Sequence, residues 1–284
     1  MRYCARDFSA QELALIRHLI AEDATRTRAD LSRLLCQQLG WYKADGGLKQ
    51  MSARVAMLRM HGDGLIRLPP PTRVRPQPRI RASDATAPGT PIDLPAHDLP
   101  ALRLVPVHKR RPSHLWNEYI HRYHYLGYTP LPGAQLRYFV TAAGQTLALL
   151  GFAASAWQCA PRDRYIGWSH PQRARNLHLI VNNARFLILP WVRSPNLASK
   201  VLALAARALP NHWQQRYGYR PALLETFVDT ERFTGTAYKA ANWRSLGQTQ
   251  GRGKLGPSGK PTVPIKDLWV YPLHPDFRHL LAAD

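Results

Sequence analysis

Apolar residues in the first 68 positions recur at the three- and four-residue spacing of helices, in three successive stretches. The predicted inward positions are Leu13, Ile16, Leu19 and Ile20, then Leu31, Leu34 and Leu35, and then Leu48, Met51, Val55 and Leu58. Ser9 and Glu12 form a capping-box signature before the first helix, Thr27 can cap the second, and Gly40 can end it. A short strand at 65–68 completes the predicted unit.

The third predicted helix would turn polar and basic residues outward, at Lys49, Gln50, Ser52 and Arg54. Three short helices with such a face are typical of a helix-turn-helix, in which Gln and Arg contact base edges while Lys and Ser contact phosphates. Residues 1–68 are therefore predicted to form a DNA-binding helix-turn-helix domain. The alternative is a three-helix unit that holds a protein partner, which helical patterning does not distinguish.

Proline interrupts this pattern after residue 68. Nine of the 24 prolines lie between residues 69 and 100, beginning with three in succession at 69–71. Because proline lacks a backbone donor and fixes its φ angle, this density disfavours helices and central strands. Residues 69–112 are therefore predicted to form a Pro- and Arg-rich linker that ends in a first strand.

From residue 113 onward, short apolar runs alternate with stretches of helical spacing. Strands are predicted at 136–140, 146–152, 185–190, 222–228, 243–249 and 267–271, with helices from 113, from 197 and at 238–242. The predicted fold class is α/β (α+β), with a mixed sheet in a C-terminal domain of residues 113–284. The order hairpin, strand, helix, strand, short helix, strand resembles the GNAT acetyltransferase fold.

Charge narrows the class of partner. The chain has 39 Lys and Arg against 18 Asp and Glu, a net charge of +21. The excess is +4 in residues 1–68, +5 in 69–112 and +12 in 113–284. Such an excess, spread through folded sequence, is more than solubility requires and predicts a polyanion partner, of which nucleic acid is the commonest.

Cysteine usage and hydropathy indicate the compartment. Cys4, Cys36 and Cys159 are widely separated and have no CxxC spacing, so neither a disulfide framework nor a structural metal site is predicted. No apolar run reaches the ~18 residues of a membrane span, and the N-terminus lacks the apolar segment of a signal peptide. The protein is thus predicted to be cytoplasmic, with no membrane partner and no metal.

Four long stretches are specific enough to indicate a family. They read RDFSAQELALIRHLI, LWNEYIHRYHYLGYTPLPGAQLRYFV, NLHLIVNNARFLILPWVRSPNLASKVLALAARALP and LLETFVDTERFTGTAYKAANWRSLGQTQGRGK. Together they resemble the DruA family of the Druantia anti-phage system. The resemblance implies a role in defence or in the handling of mobile DNA, and it implies DNA and other defence subunits, including a large helicase, as partners.

A further outline in the second half consists of His124 and Tyr125, Arg185, Asn196 and Ser199, Asp229, and the run at 235–242. This outline resembles the Mom family of phage DNA-modification proteins, which have a GNAT-like fold. Mom proteins are implicated in modifying adenine in DNA in an acetyl-CoA-dependent way. The resemblance therefore implies acetyl-CoA as cofactor and a nucleobase as acceptor.

The GNAT resemblance places acetyl-CoA where the central strand meets the next helix, with its pyrophosphate held by Arg185, Ser194, Asn196 and Ser199. The loop at 194–199 has none of the glycines of the usual GNAT loop, which is a departure from the family pattern. The alternative for Arg185 is an ion pair with Glu225 or Asp229 across neighbouring strands.

Three residues are candidates for catalysis. Tyr238 stands near the place of the tyrosine that protonates the leaving thiolate in GNAT enzymes, or it is a packing tyrosine. Asp229 is a base or a substrate-orienting group, or it caps the turn that follows it. His124 is a proton carrier or a phosphate contact, or it is a hydrogen-bonded core histidine.

The glycine-rich segment 248–256 is predicted to grip nucleic-acid backbone through Arg252 and Lys254, and an ordinary surface loop is the alternative. The prediction is therefore a DNA-binding protein with a GNAT-like domain that modifies a nucleobase. The main alternative is a non-catalytic DNA-binding accessory subunit. A nuclease ranks third, because residues 113–284 include only 8 acidic side chains and metal-dependent cleavage needs several converging carboxylates.

Overall fold

The computed structural model describes residues 1–4, 6–42, 46–72, 80–251 and 263–283. The chain divides into two compact units, Met1–Arg79 and Ile80–Asp284. Within the described ranges, no helix is both long and apolar enough to cross a membrane.

The first unit begins with a short hairpin and continues with helices. Strands β1 (Arg2–Tyr3) and β2 (Arg6–Asp7) pair antiparallel. They are followed by α1 (Ala10–Glu22), α2 (Arg28–Gln38) and α3 (Gln50–Gly62). A buried cluster that includes residues of all three helices forms the core of this unit.

The helix ends of this unit follow the local sequence signals. The Ser9 Oγ accepts the Glu12 N–H at 3.1 Å, and the Glu12 carboxylate accepts the Ser9 N–H at 2.9 Å. Thr27 and Asp30 form a second capping box before α2. Gly40 follows α2 with a φ of +56°, the left-handed conformation that glycine adopts without strain. The predicted starts of α1 and α2 and the predicted end of α2 are confirmed.

The prediction of which face of α3 is buried is wrong. The residues that pack inward are Ala53, Ala56, Met57 and Met60, whereas Met51 and Leu58 are exposed. The sequence offers two apolar stripes on opposite faces of this helix, and the small alanines allow closer packing against neighbouring helices. The DNA-binding role of these helices stays a prediction.

The strand predicted at 65–68 is not formed. Ile66 and Leu68 are buried, but the backbone around them is irregular. Its carbonyls are taken by arginine side chains: Arg17 Nε donates to the Leu65 carbonyl at 3.0 Å and Arg28 Nε to the Pro69 carbonyl at 2.7 Å. Arginine donors thus replace the strand partner that the prediction required.

The second unit is built from strands and helices in alternation. In chain order they are β3 (Arg103–Pro106), α4 (Arg110–Tyr123), β4 (Leu136–Ala142), β5 (Gln145–Ala154), α5 (Ala160–Ile166), α6 (His170–Asn176), β6 (Ile180–Ile188), α7 (Leu197–Tyr217), β7 (Leu223–Asp229), α8 (Thr236–Ala240), β8 (Arg244–Gln248), β9 (Lys266–Pro272) and α9 (Phe277–Leu281). The predicted strands and helices are all represented, with shifted ends. Helix α4 starts three residues before Ser113 because Pro112 is tolerated in a first helical turn.

Over the residues that the structure describes, the sheet of this unit has seven strands in the order β3-β4-β5-β6-β7-β9-β8. Neighbours pair antiparallel except β6 and β7, which are parallel. The predicted α/β class with a mixed sheet is confirmed. One buried cluster packs α4 and α7 onto the sheet, and another packs α5 and α9 around β7 and β9.

The predicted linker does not act as a spacer over its second half. The Ser83 and Thr86 hydroxyls donate to the Glu118 carboxylate of α4 at 2.8 and 2.6 Å. Farther along, Ile92 pairs with Val192 as a parallel bridge. These contacts make the segment from residue 80 part of the second unit, because proline-rich backbone can still bond through side chains and isolated bridges.

Candidate functional site

A cleft opens where β6 and β7 separate. The two strands pair from Ile180 with Leu223 to Asn182 with Glu225 and then diverge, although β6 continues to Ile188 and β7 to Asp229. The cleft has a volume of about 720 Å³. It is lined by residues 123–126, 182–188, 226–229, 232–238 and Lys266.

Two local features shape this opening. The pairing of β5 with β6 slips between Gly151 and Phe152, which oppose Arg185 and Asn183, so Ala184 is an extra residue in β6. Such bulges bend a strand and re-aim its side chains. On the other side, Gly235 has a φ of +75°, and a Cβ on it would lie 2.7 Å from the Trp269 ring. Only glycine therefore fits the turn that brings α8 onto the sheet.

Tyr238 lies near the point where the strands part. Its hydroxyl donates to Asn183 Oδ1 on β6 at 2.8 Å, and Thr226 Oγ1 on β7 donates to it at 3.4 Å. Phe186 and Trp243 contact its ring edge to face. Burial raises the pKa of Tyr238, so the hydroxyl keeps its proton at neutral pH. The side chain joins both strands and holds a proton at the inner end of the cleft.

Arg185 projects into the same cleft from β6. Its Nη1 donates to the Ala184 carbonyl and its Nη2 to Thr129 Oγ1, both at 2.7 Å, while its buried Nε has no partner among the described residues. The predicted alternative, an ion pair with Glu225 or Asp229, is absent from the ion pairs of the described residues. Glu225 pairs instead with Arg162 at 3.0 Å. The Arg185 charge thus faces the cleft with neutral partners.

His124 ends α4 and is buried beside the cleft. The Leu126 N–H donates to its Nδ1 at 3.2 Å, so the proton of the neutral ring is on Nε2. Burial, with the nearby charges of Arg185 and Lys266, lowers the pKa of His124 to about 4. The imidazole is therefore neutral at physiological pH, as both the proton-carrier and the core-histidine hypotheses allow.

This histidine should make the folded protein sensitive to mild acid. Because the pKa is about 4 when folded and near 6.5 when unfolded, the unfolded chain binds an additional proton between these values, and stability falls as the pH falls. From pH 7 to pH 5 the loss from this group should be roughly 2 kcal/mol. In urea titrations at both pH values, His124→Asn should remove that part of the loss, whereas His97→Asn, at an exposed histidine, should not. An unchanged pH dependence in His124→Asn would contradict this assignment.

Asp229 is buried at the end of β7 and lines the cleft. Its Oδ1 accepts the Glu231 N–H at 3.3 Å, and its carbonyl accepts the N–H groups of Arg232 and Phe233. The predicted turn-capping role is thus present in the geometry. The same residue also lines the cleft with Arg185 and Tyr238.

The residues predicted to hold pyrophosphate do not share one cavity. Asn196 and Ser199, at the start of α7, line a second cavity of about 450 Å³ together with Lys200, residues 240–242 and Tyr271. Ser199 Oγ donates to the Asn196 carbonyl at 3.0 Å, and Lys200 Nζ donates to the Ala96 carbonyl at 2.7 Å. Arg185 lines the larger cleft instead, and the buried Ser194 Oγ has no hydrogen-bond partner in the described part of the chain.

The residues predicted to contact nucleic acid fall in two groups. Lys49, Gln50, Ser52 and Arg54 lie at the start of α3 and are partly buried. Arg252 and Lys254 lie outside the described residues.

Sequence reasoning did not identify Asn183, Thr226, Phe233 or Arg232, and it named Tyr125 only as part of the motif outline. Asn183 and Thr226 position Tyr238, and Tyr125 and Phe233 form the aromatic mouth with ring centroids 5.4 Å apart. Arg232 lies over the Tyr125 ring at 5.3 Å. The signal available was the aromatic and basic composition around 124–125 and 232–233. No spacing rule connects positions about a hundred residues apart.

The described residues contain no group of three or more His, Cys, Asp or Glu side chains able to hold a metal ion. Apart from Asp229, the charged side chains of the cleft are basic: Arg185, Arg232 and Lys266. With His124 neutral, these groups favour an anionic ligand.

Several solved structures are similar to the chain at low identity. FeeM, an N-acyl amino acid synthase from uncultured soil microbes, is 12% identical over 64% of this chain and 94% of its own, with a TM-score of 0.38. A polyamine N-acetyltransferase of Drosophila melanogaster is 10% identical over 61% of this chain and 100% of its own, with a TM-score of 0.37. An N-acetyltransferase of Staphylococcus aureus Mu50 is 9% identical over 61% of this chain and 97% of its own, with a TM-score of 0.33. TM-scores of this size carry no conclusion about activity. No curated protein matches the chain.

Fold and cleft together define a mixed α/β protein whose sheet opens between two parallel strands into a cationic, aromatic-lined groove. The family model of Druantia protein DruA matches residues 81–260, more than half of the chain. The chain belongs to the DruA family, and the resemblance seen in the sequence is confirmed. The match begins almost where the second unit does.

Proposed function

We propose that this DruA-family protein acts in anti-phage defence by binding DNA and transferring an acyl group from a coenzyme A thioester to a nucleobase. The observation that carries the proposal is the protonated Tyr238 hydroxyl, anchored to both diverging strands inside a cationic cleft. A protonated acid, a carboxylate in the same cleft and room for two reactants are what acyl transfer to an amine requires.

The proposed chemistry is a direct transfer. The exocyclic amine of the base attacks the thioester carbonyl, so that a C–N bond forms and the C–S bond breaks. The amine proton passes to the Asp229 carboxylate, and the Tyr238 hydroxyl gives its proton to the departing thiolate. The Asp229 proton returns to Tyr238 through solvent after products leave. Asn183 and Thr226 keep the tyrosine in position throughout.

The start of α7 is the proposed place for the donor's phosphates. The cavity there presents the Ser199 hydroxyl, the Lys200 ammonium and the Asn196 amide at the N-terminus of a 21-residue helix. Hydroxyl, ammonium and free backbone N–H groups form a donor set that suits a pyrophosphate. Ser199 and Lys200 bond backbone carbonyls in the free protein, so phosphate binding would redirect them.

Calorimetric titration with acetyl-CoA tests this donor site. The wild-type protein should bind, and Ser199→Asp should weaken binding about tenfold or more, because a carboxylate there repels the phosphates. Ser245→Asp, at an exposed serine on β8, is the matched control and should bind as the wild type does. If the wild-type protein gives no binding, acyl transfer is excluded and the non-catalytic accessory role takes its place.

DNA backbone contact is proposed for the exposed run of His108, Lys109, Arg110 and Arg111 before and at the start of α4. None of these residues forms an ion pair within the described ranges. Positive charge at a helix N-terminus opposes the helix dipole, so this arrangement costs stability unless an anion covers it.

Salt dependence of DNA affinity measures that contact. Replacing Lys109, Arg110 and Arg111 with serine should flatten the slope of log K against log salt by as much as about three, because each lost phosphate contact removes roughly 0.9. Arg33→Ser, at an arginine already paired with Asp30, should leave the slope unchanged. The double variant Lys49→Ala, Arg54→Ala tests in the same assay whether the first unit contacts DNA. A triple variant with the wild-type slope would remove the run from the proposed DNA surface.

A further inference from the structure

The mouth of the cleft is an exposed aromatic surface. Tyr125 is 37% exposed and Phe233 50% exposed, and their rings meet edge to face at 5.4 Å. The imidazole of His124 stacks on the inner part of Tyr125, with centroids 4.9 Å apart and planes 25° apart. Both rings are partly exposed, but the Tyr125 ring has His124 stacked on it and the Arg232 guanidinium over it, so the more open ring is that of Phe233.

Charge surrounds this aromatic surface on the outer side. The Arg232 guanidinium lies 5.3 Å from the centroid of the Tyr125 ring, and Arg232 is exposed. Lys266 and Arg185 line the cleft farther along. An uncharged flat ring attached to a negatively charged backbone matches this combination, since aromatic faces bind the ring and the cations bind phosphate. A polycationic acceptor would be repelled by the same walls.

The position of Tyr238 adds a steric condition. Its hydroxyl is bonded between Asn183 and Thr226, at the inner end of the cleft where the strands part. A base inside a duplex presents only its edges in the grooves, so its amine does not reach a group held in a protein cleft unless the base leaves the stack. A base in a single strand enters the cleft without the energetic cost of unpairing.

We infer that the cleft accepts one unpaired base, which takes the place of the Arg232 guanidinium over the Tyr125 ring and packs against Phe233, while that guanidinium binds the adjoining phosphate. The substrate class is therefore single-stranded DNA or a nucleotide turned out of a duplex. This inference rests on the proposed transfer to a nucleobase and specifies the form of DNA on which it acts.

Binding of a labelled single-stranded oligonucleotide and of the matching duplex to the full-length protein tests the inference. At equal salt, Tyr125→Ala and Phe233→Ala should each weaken single-strand binding roughly 5- to 150-fold, the loss of one base stacking on one ring. Trp157→Ala is the matched control, because Trp157 is 52% exposed but lies outside the cleft lining, over Arg173. Binding of the undistorted duplex should be equal in all variants.

Three results would overturn the inference. The first is an effect of Tyr125→Ala and Phe233→Ala on single strands no larger than that of Trp157→Ala. The second is a loss of duplex affinity equal to the loss for single strands. In both cases salt-dependent DNA binding survives, and only the unpaired-base inference fails. The third is a wild-type protein that binds neither form at low salt, which also overturns the proposed function. Circular dichroism of each variant confirms that it is folded.

Discussion

Replacing Arg162 with methionine should lower the free energy of unfolding by about 3–5 kcal/mol, which is a large share of the stability of an ordinary domain. Arg162 on α5 is fully buried, and its Nη1 bonds both the Glu225 carboxylate at 3.0 Å and the Ala156 carbonyl at 2.8 Å. Its Nε bonds Asp163 at 3.0 Å. Removing the guanidinium leaves Glu225, also fully buried, without its counter-ion in the middle of β7.

Urea titration of wild type and variant measures this loss. Arg164→Met is the matched control, since Arg164 lies on the same helix but is exposed, and it should change stability by less than about 0.5 kcal/mol. Adding Glu225→Gln to Arg162→Met should recover part of the loss, because the amide is uncharged and still accepts the Ala156 N–H. A loss below about 1 kcal/mol in Arg162→Met would show that water or another group compensates the Glu225 charge.

Replacing Tyr238 with phenylalanine should slow acyl transfer by about 10²–10⁴-fold, the usual contribution of a positioned general acid. Phenylalanine keeps the ring contacts with Phe186 and Trp243 and removes only the hydroxyl. The rate of acetyl transfer from acetyl-CoA to an oligonucleotide, followed by mass spectrometry, is the measurement. Tyr165→Phe, at a tyrosine stacked on Phe277 away from the cleft, should keep the wild-type rate.

A structural role for Tyr238 predicts a different outcome. The variant leaves Asn183 Oδ1 without the tyrosine donor, which costs about 1–3 kcal/mol of stability if the site stays dry. If the hydroxyl only supports the fold, thermal stability falls while the rate per folded molecule stays at the wild-type value. That result would remove Tyr238 from the proposed mechanism. A loss of rate at temperatures where the variant is fully folded supports the general-acid role.

Local sequence signals specify much of the fold. The capping pairs Ser9 with Glu12 and Thr27 with Asp30 depend on residues three positions apart, so the chain alone identifies them. The hairpin of β4 and β5 likewise follows from its turn, where Ala143 and Gly144 both have positive φ angles. These elements need no information from distant residues.

Elements that depend on distant partners were not predictable in the same way. Helices α5 and α6 have only seven residues each, and α5 buries an arginine because Glu225, 63 residues later, neutralises it. From the sequence pattern alone, Arg162 is expected to be exposed, so the buried face of α5 is not recognised. The inward face of α3 was mistaken because both of its faces carry apolar side chains, and only packing selects between them.

The candidate site also has a part that the sequence predicts and a part that depends on how distant elements pack. His124, Arg185, Asp229 and Tyr238 meet in one cleft, as their shared motif outline indicates. Arg185 lines the larger cleft, whereas Asn196 and Ser199 line the second cavity. This separation is not visible in sequence spacing, because it arises from how the strands and the start of α7 pack together.

The most direct test of the central claim is mass spectrometry of nucleosides. The purified protein is incubated with acetyl-CoA and a single-stranded oligonucleotide containing all four bases, and the DNA is then digested. The wild-type protein should form one nucleoside heavier by one acetyl group, and this product should be almost absent with Tyr238→Phe. Unmodified nucleosides from wild-type protein that binds both acetyl-CoA and the oligonucleotide would contradict the central claim.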